Sequence, residues 1–415
     1  MATPADAPEI PAESRGLGMS RQERRVGASL AAIFALRMLG LFLVLPVFAL
    51  HARELPGGDD LTRVGIALGA YGLTQAFLQI PFGIASDRLG RKRVIVFGLL
   101  LFVVGSVVAA LAPNIDIMIV GRVLQGAGAI SAAVTALAAD LTREEHRTKV
   151  MAMIGSSIGL VFAVSLVVAP PLYSAVGLSG IFWLTGALAL GAIVLVARGV
   201  PAEPVRMTPR TPTRFTAVLA DRHLLRLNLG VFALHLMQIA MWVVMPAALV
   251  AAGGLSAGEH WKVYLPAVLA SFVVMVPAII LAEKRGIMRP VFLAAVALLV
   301  VVQAGLWLLG HSLAWLALWL TLFFVAFNVL EATLPSLISR MVPGDAKGAA
   351  LGIYNTTQSV GLFVGGALGG YLAKQGGATL VHGFCVGVAC VWLLIALTMS
   401  FPAPRQSRPV GQLNH

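Results

Sequence analysis

The sequence predicts an all-α membrane protein of twelve transmembrane helices, arranged as two pseudo-symmetric bundles of six. Three observations carry this. Of 415 residues, 59% are hydrophobic and 12% charged, whereas a soluble globular domain carries about 25% charged residues. The apolar residues come in runs of roughly twenty, the length a helix needs to cross a bilayer. Lys and Arg gather on one side of those runs. A soluble enzyme, a disordered chain and a DNA-binding domain are excluded.

Residues 1–27 form a polar tail with four arginines and no apolar core for a signal peptide. This tail is expected to stay in the cytoplasm. Apolar runs at 28–51, 62–86, 93–112, 115–138, 149–172 and 177–198 make the first bundle, residues 28–198. A cytoplasmic linker, 199–227, carries Pro201, Pro204, Pro209 and Pro212 with Arg206, Arg210 and Arg214. Runs at 228–252, 263–282, 289–309, 312–338, 349–372 and 379–401 make the second bundle, residues 228–401. A cytoplasmic tail, 402–415, follows.

With the N-terminus inside, Arg53, Arg63, Lys262 and Lys374 fall on outer loops, and Arg37 and Arg122 fall within spans. The other 24 of the 30 basic residues fall inside. That bias orients the chain and locates its net charge of +12. The basic surface is therefore a membrane-facing rim, and no nucleic-acid partner is expected. Cys385 and Cys390 both lie in the last run, which leaves no extracellular disulfide framework. No metal, no cofactor and no ATP-binding loop are expected.

The two bundles echo each other. Asp87-Arg88-Leu89-Gly90 after run two is matched by Glu283-Lys284-Arg285-Gly286 after run eight. Arg122-Val-Leu-Gln125 in run four is matched by Asn328-Val-Leu-Glu331 in run ten. Duplication about an axis along the membrane normal is a known transporter design, with its binding site near the midplane.

Gly83-Ile-Ala-Ser-Asp87-Arg88-Leu-Gly90-Arg91-Lys92-Arg93 joins runs two and three. It resembles motif A of the major facilitator superfamily. Ile119-Val-Gly-Arg122-Val-Leu-Gln125-Gly126-Ala-Gly128 resembles that superfamily's motif B, with its intramembrane arginine. Asp140 resembles the acid that partners motif A. In run five, Gly155, Gly159 and Ala169-Pro170 stand where the antiporter motif has more glycines and a Gly-Pro. Leu36-Arg37-Met-Leu-Gly, Ala70-Tyr71-Gly-Leu-Thr-Gln75, His260-Trp261-Lys-Val-Tyr264 and Phe323-Phe324-Val-Ala-Phe-Asn328 look closer still. Together they resemble YajR-type transporters of the proton-coupled drug antiporter branch. The resemblance implies a conformational gate of Gly83, Asp87, Arg88, Gly90, Arg91 and Asp140, expected to hold the halves together on the cytoplasmic side.

A charge at the bilayer centre costs ~2.5–3.5 kcal/mol on insertion scales, so intramembrane polar residues need a partner or a cavity. Glu331 is the one mid-span carboxylate, and burial is expected to favour its protonated form. It is the expected proton-coupling residue, with Arg122 and His235 as its companions. Either Arg37 or Arg122 is expected to pair with Glu331 across a central cavity. Arg37, Tyr71, Gln75, Gln125, Gln238, Trp242, Asn328, Asn355 and Gln358 are the expected cavity lining, chosen by helical spacing. Asn and Gln at such places also serve as plain helix–helix contacts.

The expected activity is proton-coupled secondary transport by alternating access, in the manner of drug antiporters that expel amphipathic small molecules. A metabolite symporter or uniporter on the same fold is the first alternative. A non-transporting membrane sensor or scaffold is the second. The expected partners are a small-molecule substrate, protons and the lipid bilayer. The expected state is a monomer, multi-pass in the inner membrane, with both termini cytoplasmic.

Overall fold

The computed structural model describes residues 18–201, 220–342, 347–399 and 401. The expected tails 1–17 and 402–415, and the Pro- and Arg-rich core of the linker, 202–219, lie outside the described residues. Among the described residues every element is helical. In order they are α1 (Arg21–Phe42), α2 (Leu45–Ala52), α3 (Leu61–Leu89), α4 (Arg91–Ala110), α5 (Ile115–Ala127), α6 (Ser131–Asp140) and α7 (Glu144–Gly199). Then come α8 (Arg222–Gly253), a 3-10 turn (Ala257–Glu259), α9 (Trp261–Arg285), α10 (Met288–Leu309), α11 (Leu313–Met341) and α12 (Lys347–Leu397).

Nine helical stretches among the described residues are long and apolar enough to cross a membrane. Run two, now α3, is not among them, and the other runs map onto the helices with three differences. Run one is broken into α1 and α2, because Pro46 lacks the N–H an unbroken helix would need. Run four is broken into α5 and α6 after Gly128. Runs five and six are fused in α7, and runs eleven and twelve in α12. No loop is inserted at either fusion: the chain reverses at Gly177 (φ 67°) and at Gly376–Gly377 (Gly377 φ 64°). Glycine takes a positive φ at little cost, so one or two residues replace a connector.

Several ends are capped by the residues that the sequence supplies. Ser20 and Glu23 close a reciprocal box at the start of α1: Glu23 N donates to Ser20 Oγ at 3.1 Å, and Ser20 N donates to Glu23 Oε2 at 2.8 Å. Asp221 caps α8, so that helix starts six residues before the expected span.

The turns alternate between two ends of the molecule. One end carries Asp60, Asn114, Gly177, Gly254 and Gly377; the other carries Gly90, Arg143, Asp221 and Gly286. The large side chains on the outer face are apolar, with Phe77, Val273, Leu308 and Leu394 mostly exposed. Such a surface suits hydrocarbon and not water. The apolar interior is divided. One cluster draws on residues 26–34, 82–99, 130–154 and 192–200. A larger one draws on residues 43–68, 109–118 and 162–182 together with residues 224–399.

The two long segments, 18–201 and 220–401, meet closely toward the Asp60 end. There α3 crosses α12 with glycine against glycine: a Cβ placed on Gly65 would lie 2.0 Å from Gly366 O. A Cβ on Gly69 or Gly72 would likewise strike Phe363 or Ser359 backbone. Lys374 Nζ donates to Asp60 Oδ2 at 3.0 Å, tying α12 to the residue that caps α3. On its adjoining face α12 turns Gly361, Gly365 and Gly369 to the backbone of Phe232, Leu236 and Ala240 in α8. These small residues let backbones approach without a hydrophobic drive, as membrane helices require.

Candidate functional site

Three polar clusters interrupt this apolar body. The first lies at the Asp87 end. Arg91, at the start of α4, is buried and acts as its hub. It pairs with Asp87 one turn earlier on α3, donates to Ser86 Oγ, and reaches Asp140 Oδ2 of α6 at 3.3 Å. Its Nη1 also lies 3.4 Å from the carbonyl of Gly83, which accepts from Ser86 Oγ at 2.7 Å. Gly90, at φ 96°, makes the reversal that swings Arg91 back onto α3. The motif thus ties α3, α4 and α6 to one another. Arg88 lies exposed beside this hub. The two described ion pairs of Arg91, with Asp87 and with Asp140, lie within the first segment. Close packing between segments is found toward the Asp60 end. Two further pairs at the Asp87 end also stay within one segment. Glu23 receives Arg143 Nη2 at 2.9 Å, which raises the proton affinity of that guanidinium, and Arg340 reaches Glu283 at 2.7 Å. Neither pair was expected from the sequence, although Glu283 belongs to the stretch that echoes Asp87-Arg88-Leu89-Gly90.

The second cluster lies midway along α1, α3 and α5, between the two apolar cores. Arg37 and Arg122 are fully buried and stand on the ring of Tyr71, with guanidinium carbons 5.6 and 5.4 Å from its centroid. Arg37 Nη2 donates to Tyr71 Oη at 2.5 Å and to Gln75 Oε1 at 3.3 Å. Arg122 donates to Gln125 Oε1 at 2.8 Å and to the Ala67 carbonyl at 3.3 Å. Gln125 passes the chain on to Ser106 Oγ at 2.9 Å. Neither arginine pairs with Glu331. Both are held by neutral groups of their own segment, and this corrects the expected pairing across a cavity. Helical spacing could join Tyr71 to Gln75, but Ser106 carried no signal beyond its type.

The third cluster joins α8, α11 and α12. His235 Nδ1 lies 3.0 Å from the Val231 carbonyl, which only accepts, so Nδ1 carries a proton. His235 Nε2 then offers a lone pair to Gln358 Nε2 at 2.6 Å. The same amide donates to Glu331 Oε1 at 3.5 Å, and Glu331 Oε2 lies 3.5 Å from His235 Nε2. Glu331 keeps 36% of its side-chain surface, so it is less buried than its mid-helix position suggests. Yet its Oε2 is itself enclosed and has no hydrogen-bond partner, as is the hydroxyl of neighbouring Tyr354.

The other expected lining residues divide. Asn328 is engaged by Ser271 Oγ of α9 at 2.9 Å. Trp242 is corrected: it is fully buried and packs edge-on against Tyr264, 5.6 Å away, inside the core. Gln238 is buried on the face of α8 that bears His235, and Asn355 is half-buried one turn before Gln358 on α12. The lining thus forms two polar groups, one in each segment. Phe162 of α7 bridges toward the second by packing on Phe324 and Phe327, and Phe327 meets the His235 ring at 5.7 Å.

Comparisons with known proteins agree with this architecture. The model of the Major Facilitator Superfamily matches residues 30–336 and 227–414. The chain is 45% identical over 388 residues to the inner membrane transport protein YajR of Escherichia coli (strain K12), covering 92% of this chain and 85% of that one. It is 33% identical over 352 residues to an uncharacterised transporter of Buchnera aphidicola subsp. Acyrthosiphon pisum, covering 84% of this chain and 90% of that one. Among solved structures, the human organic anion transporter MFSD10 superposes with a TM-score of 0.71 at 20% identity, over 91% of this chain and 100% of that one. The nucleoside transporter NupG superposes with a TM-score of 0.70 at 13% identity, over 90% of this chain and 99% of that one.

Proposed function

The chain belongs to the major facilitator superfamily, whose members are secondary transporters of small molecules and not enzymes, and from that premise we propose that it couples proton entry to the efflux of amphipathic compounds. The unit is a monomer in the bacterial inner membrane, with both termini and the linker in the cytoplasm. Its twelve crossings are the nine apolar stretches with α7 and α12 each counted twice at their glycine reversals, plus α3. Residues 28–198 rock against residues 228–401. The glycine crossing and the Asp60–Lys374 bridge close the outer side, so the Asp87 end is the side that opens to the cytoplasm.

One observation carries the coupling: Glu331 holds an enclosed oxygen without a hydrogen-bond partner, 3.5 Å from His235 Nε2. A carboxylate in that place is relieved by taking a proton, and a protonated Oε2 becomes a donor that His235 Nε2 accepts once the Gln358 amide releases that nitrogen. Protonation from outside discharges substrate there, and deprotonation toward the cytoplasm resets the site. Arg122 acts at a distance, through the charge it keeps in the first bundle.

The test is transport into inverted vesicles under an imposed proton gradient, with fluorescent amphipaths of both charges. Glu331→Gln, which fixes the shape of the protonated acid, is expected to abolish gradient-driven uptake while leaving downhill exchange. Uphill transport by that variant at the wild-type rate and pH dependence places coupling elsewhere.

A further inference from the structure

The cluster of Arg37 and Arg122 is not explained by proton coupling. An arginine stays charged in a protein. Two of them, 0% and 1% exposed, lie among neutral partners, and no ion pair reaches either among the described residues. Leaving cations in an apolar layer without a counter-charge is expensive. Ring faces and amide oxygens offset only part of that cost.

The hydrogen bonds are also incomplete. Arg37 Nε and Nη1 are buried with no partner, so only the Nη2 corner of its guanidinium is used. Along α3 the polar side continues at four-residue steps from Tyr71 and Gln75 to Gln79, one turn nearer the Asp87 end. Gln79 is 1% exposed, and both its amide oxygen and its amide nitrogen lack partners. Buried polar capacity is thus left open at Arg37 on α1 and at Gln79 on α3. Buried polar groups in native structures are otherwise nearly all satisfied. The open groups are chiefly donors, and they gather around two positive charges.

We infer that Arg37, with Arg122 behind it, is an anion subsite that receives the carboxylate, sulfonate or phosphate group of an amphipathic substrate entering past Gln79. This rests on the reading of the chain as a transporter of amphipaths, and it narrows that reading to compounds with an acidic head on an apolar body. The two open nitrogens of Arg37, Nε and Nη1, can each donate to one oxygen of such a group, and a side-by-side seat forms when Nη2 gives up Tyr71 or Gln75. Phe102, whose ring lies 5.7 Å from the Arg37 guanidinium carbon, and Tyr71 supply the apolar walls.

The test needs no proton gradient, so it stands apart from transport. The full chain is placed in nanodiscs of phosphatidylcholine and titrated with naphthalene-2-sulfonate and with naphthalene-2-sulfonamide, its uncharged counterpart. Empty nanodiscs correct for partition into lipid. The sulfonate is expected to bind at least tenfold more tightly. Arg37→Gln is expected to remove that preference, and Arg37→Lys to keep part of it. Tyr71→Phe frees the hydrogen-bonding edge now held by the hydroxyl, and it is expected to keep or increase the preference. It serves as the second arm should Arg37→Gln fail to fold. Repeating the titration in phosphatidylglycerol nanodiscs separates two sources of the acidic group: weaker sulfonate binding there means that a lipid headgroup competes for the same subsite. Equal affinity for the two probes, binding of neither, a preference that survives in Arg37→Gln, or its loss in Tyr71→Phe overturns the inference. A chain that passes this test and shows no proton-driven flux keeps the subsite and loses the coupling scheme.

Discussion

Gly65 offers a substitution whose effect is confined to the meeting of the two segments. A methyl group added there would stand 2.0 Å from Gly366 O, and its next neighbours are the Cα and N of Gly370. All three atoms belong to α12, and none to the helices that pack with α3 inside its own segment. Ordinary contact begins at 3.4 Å, so α12 must retreat by about 1.4 Å. Backbone cannot rotate away as a side chain does. Overpacking of this kind costs roughly 1–3 kcal/mol. Because only the state closed at the Asp60 end bears that cost, Gly65→Ala should lower its population relative to the opposite state by about 5- to 150-fold. Gly365 is the control. Its Cβ would lie 2.3 Å from Leu236 O in α8, within the second segment. Gly365→Ala should therefore lower thermal stability without favouring one state. Spin labels at Glu54→Cys and His311→Cys, both exposed near the Asp60 end, read the separation once Cys385 and Cys390 are replaced. The expected result is a longer-distance component in Gly65→Ala and its absence in Gly365→Ala. An unchanged distance distribution in a folded Gly65→Ala protein refutes the assignment of that crossing as a closing surface.

Other outcomes follow from single contacts. Arg91→Gln leaves Asp140, a mostly buried acid, without that cation and should cost about 3 kcal/mol of stability, seen as a lower unfolding temperature in detergent. Asp87→Asn should cost far less, because half of that side chain is exposed and solvent screens the pair, yet it should slow transport if the motif gates. The Lys374 ammonium beside Asp60 holds its carboxyl below its ordinary value of 3.8. A lowered folded-state value means the bridge contributes fully above the ordinary value and is lost as pH falls below it. The same spin-label pair should report steady closure from neutral pH down to that value and loosening below it, and Asp60→Asn should erase the acid limb. Loosening that begins near neutrality would point to another group.

Much of the fold was legible because a bilayer restricts the possibilities: apolar runs and basic loops mark each helix whatever its neighbours are. The breaks were harder. Run one was expected unbroken although Pro46 lies within it, whereas the expected divisions at 172–177 and 372–379 fall where Gly177 and Gly377 reverse the chain without a polar loop. At the candidate site, motif spacing found Arg91 and Asp140, since the acid and the base sit in elements the motif itself defines. Helical spacing identified a face of α8 but not which neighbour covers each part of it. His235 on that face meets Glu331 and Gln358, whereas Trp242, two turns along, is sealed by Tyr264. The pairing of Arg37 and Arg122 with Glu331 failed for a related reason. Opposite charges invite pairing on paper, but here each arginine found Tyr71, Gln75, Gln125 or a carbonyl on nearby helices first.

The polar side of α3 bears on how the chain is made. Alone among the long helices, α3 is missing from the stretches apolar enough to cross a membrane by themselves. The residues that cost it that standing include Tyr71, Gln75 and Gln79, of which Tyr71 and Gln75 receive Arg37 in the finished protein. A nascent α3 leaving the ribosome therefore has little reason to enter lipid alone, since each uncovered amide would lose its water. It should instead wait at the insertion machinery until α4, more apolar and only one residue away, arrives as its partner. Synthesis would then pass through a two-helix hairpin, and in a chain carrying Phe77→Cys, truncation after Leu89 should leave that position of α3 accessible to water-soluble thiol reagents, while extension through Ala110 should protect it. Replacing Gln75 and Gln79 with leucine should let α3 insert unaided, so that biogenesis becomes easier as the finished site is lost.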